Sequence, residues 1–191
     1  SLPDSITTIG DYAFSNCLSL DLTLPPNLIL IGYGACEYTA IKEVVIPAGV
    51  TVIEGSAFAG CNKLKSVKVP NGITELKNGV FQDCSNLESV TLSETVVSIG
   101  SGSFSRCTSL KSFEFPLGIT IVRDWMFNGC TSLELVSLGP SVSRIEYGSF
   151  YDCSSLSAIY FAGVAPEVQS SETFENIGFG PIAWVEEANA D

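Results

Sequence analysis

The chain repeats one apolar pattern every 22 or 23 residues. The unit Val69–Thr91 shows the pattern best, with the sequence VPNGITELKNGVFQDCSNLESVT. Three further units, Leu92–Glu114, Phe115–Ser137 and Leu138–Tyr160, follow it without a gap. A fixed period of this length is typical of a solenoid, in which each coil packs only on its two neighbours. Because one unit is too small to bury its own apolar side chains, the period predicts a stack of coils that share one elongated core.

Recurring columns of apolar residues define the unit. Two apolar residues lie three positions apart, and the second of them forms the Ile column, which contains Ile9, Ile31, Ile53, Leu76, Ile99, Val122 and Ile145. The Phe column contains Phe14, Cys36, Phe58, Phe81, Phe104, Phe127 and Phe150. The Cys column contains Cys17, Thr39, Cys61, Cys84, Cys107, Cys130 and Cys153. The second unit is irregular and lacks one residue around Thr39–Ile41. We predict that stacking aligns these columns into a continuous core.

The run after the Cys column predicts a strand. It reads Leu64-x-x-Val67-x-Val69 in one unit, and its last two apolar residues alternate with period two, as in a half-buried strand. Prolines that would end the pairing follow the run at Pro25, Pro47, Pro70 and Pro116. We expect one short strand per coil, stacked in parallel about 4.8 Å apart. The segment between the Ile and Cys columns is expected to form a turn or a short 3₁₀ segment opposite the strands.

The period weakens after Tyr160. We therefore predict one domain, with seven coils over residues 1–160 and an atypical last coil and C-terminal cap over residues 161–191. Phe174 is expected to continue the Phe column, with Ile177 where the Cys would be. A turn over Gly178–Pro181 and a frayed end over Ala188–Asp191 complete this interpretation. Because the sequence begins at a repeat boundary without an initiator Met, we expect a fragment or a mature form.

Charge and composition disfavour several classes of partner. The formal net charge is −12, from 21 acidic and 9 basic residues. Phosphate backbones and anionic lipid surfaces repel such a chain, so we expect no nucleic-acid binding. The sequence contains no apolar run long enough to span a bilayer, so we expect no direct membrane insertion of this segment.

The residue types also argue against catalysis and metal binding. The chain contains no His, which excludes Ser-His and Cys-His nucleophiles within it. Cysteines spaced about one coil apart lack the close ligand pairs of a zinc site. Paired carboxylates such as Glu88 and Glu114 remain, but they are predicted on an open surface. We therefore predict no enzyme activity, no cofactor and no metal.

The seven cysteines leave two structural alternatives. Cysteines of consecutive coils would lie roughly 5 Å apart at Cα, inside the range for a disulfide. Their Cβ vectors would run parallel, however, which is poor disulfide geometry, and seven is an odd number. A column of buried reduced thiols is the alternative that we favour, because free Cys behaves as a small hydrophobic residue.

The outward face of the strands is the candidate binding surface. Val45, Leu135 and Tyr160 are apolar at positions where water is expected. The candidate partner-binding residues are Val45, Lys68, Glu88, Glu114, Leu135, Tyr160 and, on the turn side, Trp125. Two alternatives stay open: the strand face could be a plain solvated surface, and Trp125 could simply pack over a neighbouring coil.

The repeat resembles the BspA-like leucine-rich repeat, which has the signature I-G-x-x-A-F-x-x-C. Ile9–Cys17 reads IGDYAFSNC and Ile53–Cys61 reads IEGSAFAGC. The resemblance implies a right-handed superhelix with a concave face of parallel strands, in a cell-surface or secreted protein that adheres to host, matrix or microbial surface proteins. We therefore expect a non-enzymatic protein–protein recognition or adhesion module. The alternative is a structural scaffold or assembly subunit, which could be intracellular.

Overall fold

Parallel strands stacked coil upon coil form the body of the molecule. The computed structural model describes residues 2–178 and the strand Ala183–Glu186. Over this range the chain forms a solenoid of about seven coils, and its one helical element is the 3₁₀ segment Ser171–Phe174. The predicted parallel-strand solenoid is therefore confirmed. The predicted turn after residue 178 and the predicted frayed end over 188–191 lie outside the described residues.

From the second coil onwards each coil contains two short strands, where the sequence predicted one, and the first coil contains only β1. The strands of the Ile column are β1 (Thr8–Ile9), β2 (Leu30–Ile31), β4 (Val52–Ile53), β6 (Glu75–Leu76), β8 (Ser98–Ile99), β10 (Ile121–Val122), β12 (Arg144–Ile145) and β14 (Glu167–Val168). The strands after the Cys column, here called the main strands, are β3 (Glu43–Val45), β5 (Ser66–Lys68), β7 (Ser89–Thr91), β9 (Ser112–Glu114), β11 (Leu135–Leu138), β13 (Ala158–Phe161) and β15 (Ala183–Glu186). The prediction of one strand was wrong because a two-residue strand is too short for its alternation to be distinguished from a loop.

The strand register repeats the sequence period. Val67 lies opposite Val90, and Val136 lies opposite Ile159, each one unit later in the chain. The main strands form two sheets, in the orders β3-β5-β7 and β9-β11-β13-β15. Equivalent side chains of successive coils are therefore direct neighbours, and each inward residue extends the same core column.

The segment between the Ile and Cys columns forms a run of turns that also joins the coils. In the first coil, the amides of Ser15 and Cys17 donate to the carbonyls of Tyr12 and Phe14. The amide of Phe14 instead donates to the carbonyl of Ala35 in the next coil, at 2.8 Å. This alternation recurs along the solenoid, so that the turns satisfy their buried backbone groups both within and between coils.

The Phe column forms a continuous stack of rings in the core. Neighbouring rings from Phe58 to Phe150 have centroids 5.5–5.8 Å apart and planes within 12° of parallel. Phe174 extends the stack, with its centroid 5.6 Å from that of Phe150. The predicted place of Phe174 in the Phe column is therefore confirmed.

The Cys column is buried and hydrogen-bonded. The Sγ of Cys107 donates to the carbonyl of Phe81, one coil earlier, at 3.2 Å, and the Sγ of Cys130 donates to the carbonyl of Phe104 at 3.1 Å. Equivalent bonds are made by Cys61, Cys84 and Cys153. Burial raises the pKa of the Cys130 thiol to about 12. The free thiol, with its proton in place, therefore serves the core as a small donor, whereas Cys17 in the first coil is exposed.

The main sheet is interrupted between β7 and β9. At this point two phenylalanines, Phe113 and Phe115, replace the smaller apolar residues of the preceding main strands. The Phe113 ring lies 4.9 Å from the rings of both Phe104 and Phe127. A cleft of about 170 Å³ lies beside the interruption, lined in part by Thr91. We attribute the interruption to the extra ring volume, which a stack of valines in register does not accommodate.

Phe104→Ala is expected to lower the free energy of unfolding by about 3–5 kcal/mol, because it empties a fully buried position in the ring stack. Urea unfolding followed by circular dichroism measures the change. Phe14→Ala is the matched control, since Phe14 belongs to the same column but is only half-buried, and it should cost clearly less. A loss below about 1 kcal/mol for Phe104→Ala would contradict the stacked core.

Thiol labelling tests the Cys column independently. In the native protein at pH 8, one thiol per chain should react rapidly with a disulfide reagent such as DTNB, namely Cys17. The other six are buried, and burial raises the pKa of Cys84, Cys107 and Cys153 in particular, so that few thiolates are available to react. All seven should react in guanidinium chloride. Rapid reaction of several thiols in the folded chain would show that the Cys column is not buried.

Candidate partner-binding surface

The outward side chains of the main strands form three rows across the coils, together called the strand face. Row one, the residue before each strand, contains Lys42, Lys65, Glu88, Lys111, Glu134 and Ser157. Row two contains Glu43, Ser66, Ser89, Ser112, Leu135 and Ala158. Row three contains Val45, Lys68, Thr91, Glu114, Ser137 and Tyr160. The parallel register places each row nearly perpendicular to the strands.

Six of the seven predicted contact residues share this face. Row three contains four of them: Val45, Lys68, Glu114 and Tyr160. Leu135 lies in row two, and Glu88 lies in row one. The structure thus brings these residues onto one surface, although they come from coils spread over more than a hundred positions of the sequence.

Charge on the strand face is divided between its two ends. Lys65 and Lys68 lie in the third coil and make no ion pair within the described residues. Lys42 pairs with Asp21, with Nζ and Oδ2 3.0 Å apart, but both side chains are exposed and such a pair contributes little stability. Three glutamates occupy the later coils, at Glu88, Glu114 and Glu134. The face therefore offers mainly lysines at one end, with Glu43 among them, and mainly carboxylates at the other.

The apolar residues of the face differ in exposure. Leu135 and Tyr160 are half-buried between their neighbours in the sheet. Val45 is 82% exposed, which is high for a valine in a strand. Val45 is thus the clearest exposed apolar side chain on the strand face that a partner could contact.

A groove of about 770 Å³ lies beside Val45, between the segment Asp21–Pro26 and β3. Its apolar lining consists of Leu22, Leu24, Pro26, Val45, Pro47 and Ala48. Residues 21–27 form no strand, so β3 is the edge strand of its sheet. The groove lies where the first coil fails to continue the main sheet.

The groove was not predicted, although the sequence contains its cause. The third unit reads L-K-S-V-K-V-P from Leu64 to Pro70, whereas the first reads L-D-L-T-L-P from Leu20 to Pro25. The first unit is therefore one residue short inside its strand run, and a second proline, Pro26, follows directly. The shortened run forms no strand beside β3, although Leu22 and Leu24 still point into the core like Val44 and Ile46.

Trp125 lies on the turn side, apart from the other six predicted residues. Its backbone is left-handed, with φ of 57°, and its ring contacts Tyr147 and Tyr151 edge-on at centroid distances of 4.9 and 5.9 Å. The ring covers Gly148, where an added Cβ would come within 2.6 Å of a ring atom. Packing over the neighbouring coil therefore accounts for the Trp125 conformation, although 38% of the residue remains exposed for a contact on this side.

The same aromatic-over-glycine arrangement occurs elsewhere on the turn side. Tyr12 lies over Gly34, and Tyr38 lies over Gly60, one coil later in each case. The sequence signal is an aromatic residue followed by Gly one repeat later. It was missed because the side chains at these turn positions vary so much between coils.

The described residues hold no arrangement suited to catalysis. No group of three or more His, Cys, Asp or Glu side chains within them could hold a metal ion. Their buried thiols have raised pKa values and are poor nucleophiles at neutral pH. No helix in the described part is long and apolar enough to cross a bilayer.

Comparison with known protein families identifies the family to which this chain belongs. The family model for the BspA type leucine-rich repeat region matches six copies, over residues 1–96 and 74–179. The chain belongs to the BspA-type leucine-rich repeat family. Members of this family are leucine-rich repeat proteins, which generally bind other proteins and are typically non-enzymatic.

Crystal structures of bacterial leucine-rich repeat proteins share the fold. One from Bacteroides ovatus is 31% identical, with 86% of this chain and 49% of that chain covered and a TM-score of 0.65. One from T. pallidum is 29% identical, with 81% and 76% covered and a TM-score of 0.74. The pneumococcal vaccine antigen PcpA, at 20% identity, 83% and 51% coverage and a TM-score of 0.55, shows the fold alone. This chain spans about half the length of the Bacteroides ovatus protein, and no curated protein matches it.

Gly148→Ala tests the packing of Trp125. The variant should unfold more easily than Gly102→Ala, because both glycines have a similar φ, near 60°, but only Gly148 lies against a ring. Gly102 has no atom within 4 Å of an added Cβ, so it isolates the backbone strain. The difference between the two variants in urea unfolding should be about 1–3 kcal/mol. Equal losses would mean that the Trp125 ring moves away freely.

Proposed function

We propose that this chain is a non-enzymatic recognition or adhesion module that binds a protein partner through its strand face. The observation that carries the proposal is Val45, an exposed apolar side chain in row three, flanked in register by Lys68, which forms no ion pair with any described residue. A partner that covers Val45 removes its apolar surface from water, and the nearby lysines contribute specificity. The membership of the leucine-rich repeat family supports a protein as the ligand.

The distribution of charge on the strand face favours a partner of complementary polarity. Lys65 and Lys68 at one end would meet carboxylates, and Glu114 and Glu134 at the other end would meet basic side chains. Such complementarity raises association rates and fixes orientation more than it raises affinity. Binding should therefore weaken as the salt concentration rises.

We infer a cell-surface or secreted setting, with host, matrix or microbial surface proteins as partners. The family resemblance supports this inference. Antibody staining of intact cells, compared with permeabilised cells, tests it directly. Staining that requires permeabilisation would favour the intracellular scaffold instead.

Val45→Glu and Glu114→Lys test the strand face. Each should weaken binding to a responsive protein from a panel of purified matrix and microbial surface proteins by about tenfold or more, because each removes a contact and adds an unmatched charge. Surface plasmon resonance measures the affinities. Val164→Glu is the matched control, since Val164 is 90% exposed in the turn after β13, off the strand face, and should bind normally.

Two results would contradict the proposal. Unchanged affinity in Val45→Glu and Glu114→Lys would place the contact on the turn side, where Trp125 is exposed, or at an edge. Concentration-dependent self-association in sedimentation velocity, with no ligand in the panel, would favour the scaffold or assembly subunit.

A further inference from the structure

The groove beside Val45 exposes the backbone of an edge strand. Among the described residues, β3 pairs as a strand only with β5. In regular coils the row-one amide donates to the row-one carbonyl of the coil before, as Lys65 does to Lys42 at 3.1 Å. The amide of Lys42 instead contacts the Asp21 side chain, at 3.4 Å from Oδ1. The first coil thus separates from the second at this point.

The backbone groups of Val45 are directed towards the groove. In later coils, the amide of Val69 donates to the carbonyl of Thr91, which shows that row-three carbonyls face the preceding coil. In a parallel sheet, the N–H and C=O of one residue point to the same side. The register places Val45 at the equivalent position, so both its groups face the first coil, where no strand meets them.

The walls of the groove indicate the side chains that would fit. Leu24, Pro26, Pro47 and Ala48 make them largely apolar, and the volume of about 770 Å³ lies within the range of ligand sites. Pro26 and Pro47 have no backbone N–H to donate, so the free backbone donors and acceptors are concentrated on β3. Asp21 and Glu43 outnumber Lys42 among the charged lining residues, which disfavours an acidic ligand.

We propose that this groove binds an extended, apolar, neutral to basic segment of a protein partner, which adds to β3 as an extra strand. Main-chain hydrogen bonds to the edge strand hold the segment, and alternate side chains occupy the apolar groove. An extended backbone is the occupant that fits, because it supplies donors and acceptors at the spacing of a strand edge. The inference rests on the proposed protein-binding function and assigns it a first contact site.

A designed peptide tests the strand addition. The probe is a fluorescein-labelled heptapeptide of alternating valine and threonine with lysine at both ends. The matched control has the same side chains but N-methylated alternate amides, which removes the donors along one edge. Fluorescence anisotropy should show saturable binding of the probe, and the N-methylated peptide should bind about tenfold more weakly or worse, the cost of one or two lost hydrogen bonds.

Variants of the groove locate the bound peptide. Val45→Pro removes the amide that faces the groove and should abolish binding, whereas Val164→Pro, an exposed position outside the groove lining, should bind normally. Ala48→Arg fills the groove without changing the strand backbone, so it serves as the second test if Val45→Pro does not fold. Circular dichroism verifies the fold of each variant.

Four outcomes overturn the proposal: no saturable binding, equal binding of the N-methylated peptide, full binding by both Val45→Pro and Ala48→Arg, or self-association of the chain that the peptide displaces, since a second copy would then be the occupant of the groove. Glu114 lies in the fifth coil, outside the groove. If the peptide fails while partner binding still depends on Glu114, the groove inference fails and the strand-face function stands.

Discussion

Hydrogen bonding from each coil to the next is the constraint on which this structure depends. It operates on the strands, where the register repeats the sequence period, and on the turns, where the Phe14 amide meets the Ala35 carbonyl. Because both sides are held, equivalent side chains must stack on one another. The ring stack and the thiol column follow from that alignment, and the Cys107 sulfur reaches the Phe81 carbonyl only because the coils are in register.

Features that repeat in every coil could be predicted from the sequence, because each was present many times. The Phe column, the main strands and the place of Phe174 are of this kind. The strands of the Ile column were not predicted, because two residues are too few to show the alternation of a strand. The conformation of Trp125 was not predicted, because its ring packs on Gly148 of the next coil and the repeat pattern does not show that this turn glycine is covered.

The candidate site depends on an exception to the repeat. A regular first coil would have added a strand to β3 and left no groove. One missing residue between Leu20 and Leu22, with Pro26 beside it, is enough to separate the coils locally. The coils meet again on the turn side, where the amide of Asn16 bonds to the carbonyl of Glu37 at 2.9 Å. A local irregularity thus creates a concave site without disturbing the core behind it.

The interruption between β7 and β9 has a mechanical consequence. The strand face consists of two separate sheets, one up to the fourth coil and one from the fifth onwards. Their adjoining main strands β7 and β9 are not paired, although β6 pairs with β8 across the same two coils. The turns continue across this joint between the two sheets, for example from the Asp83 amide to the Ser105 carbonyl at 2.8 Å. At this joint, hydrogen bonds therefore connect the coils on the turn side but not between the main strands. Bending at this joint would therefore leave the pairing of the main strands intact, whereas bending elsewhere along the stretch from β3 to β13 would disturb it.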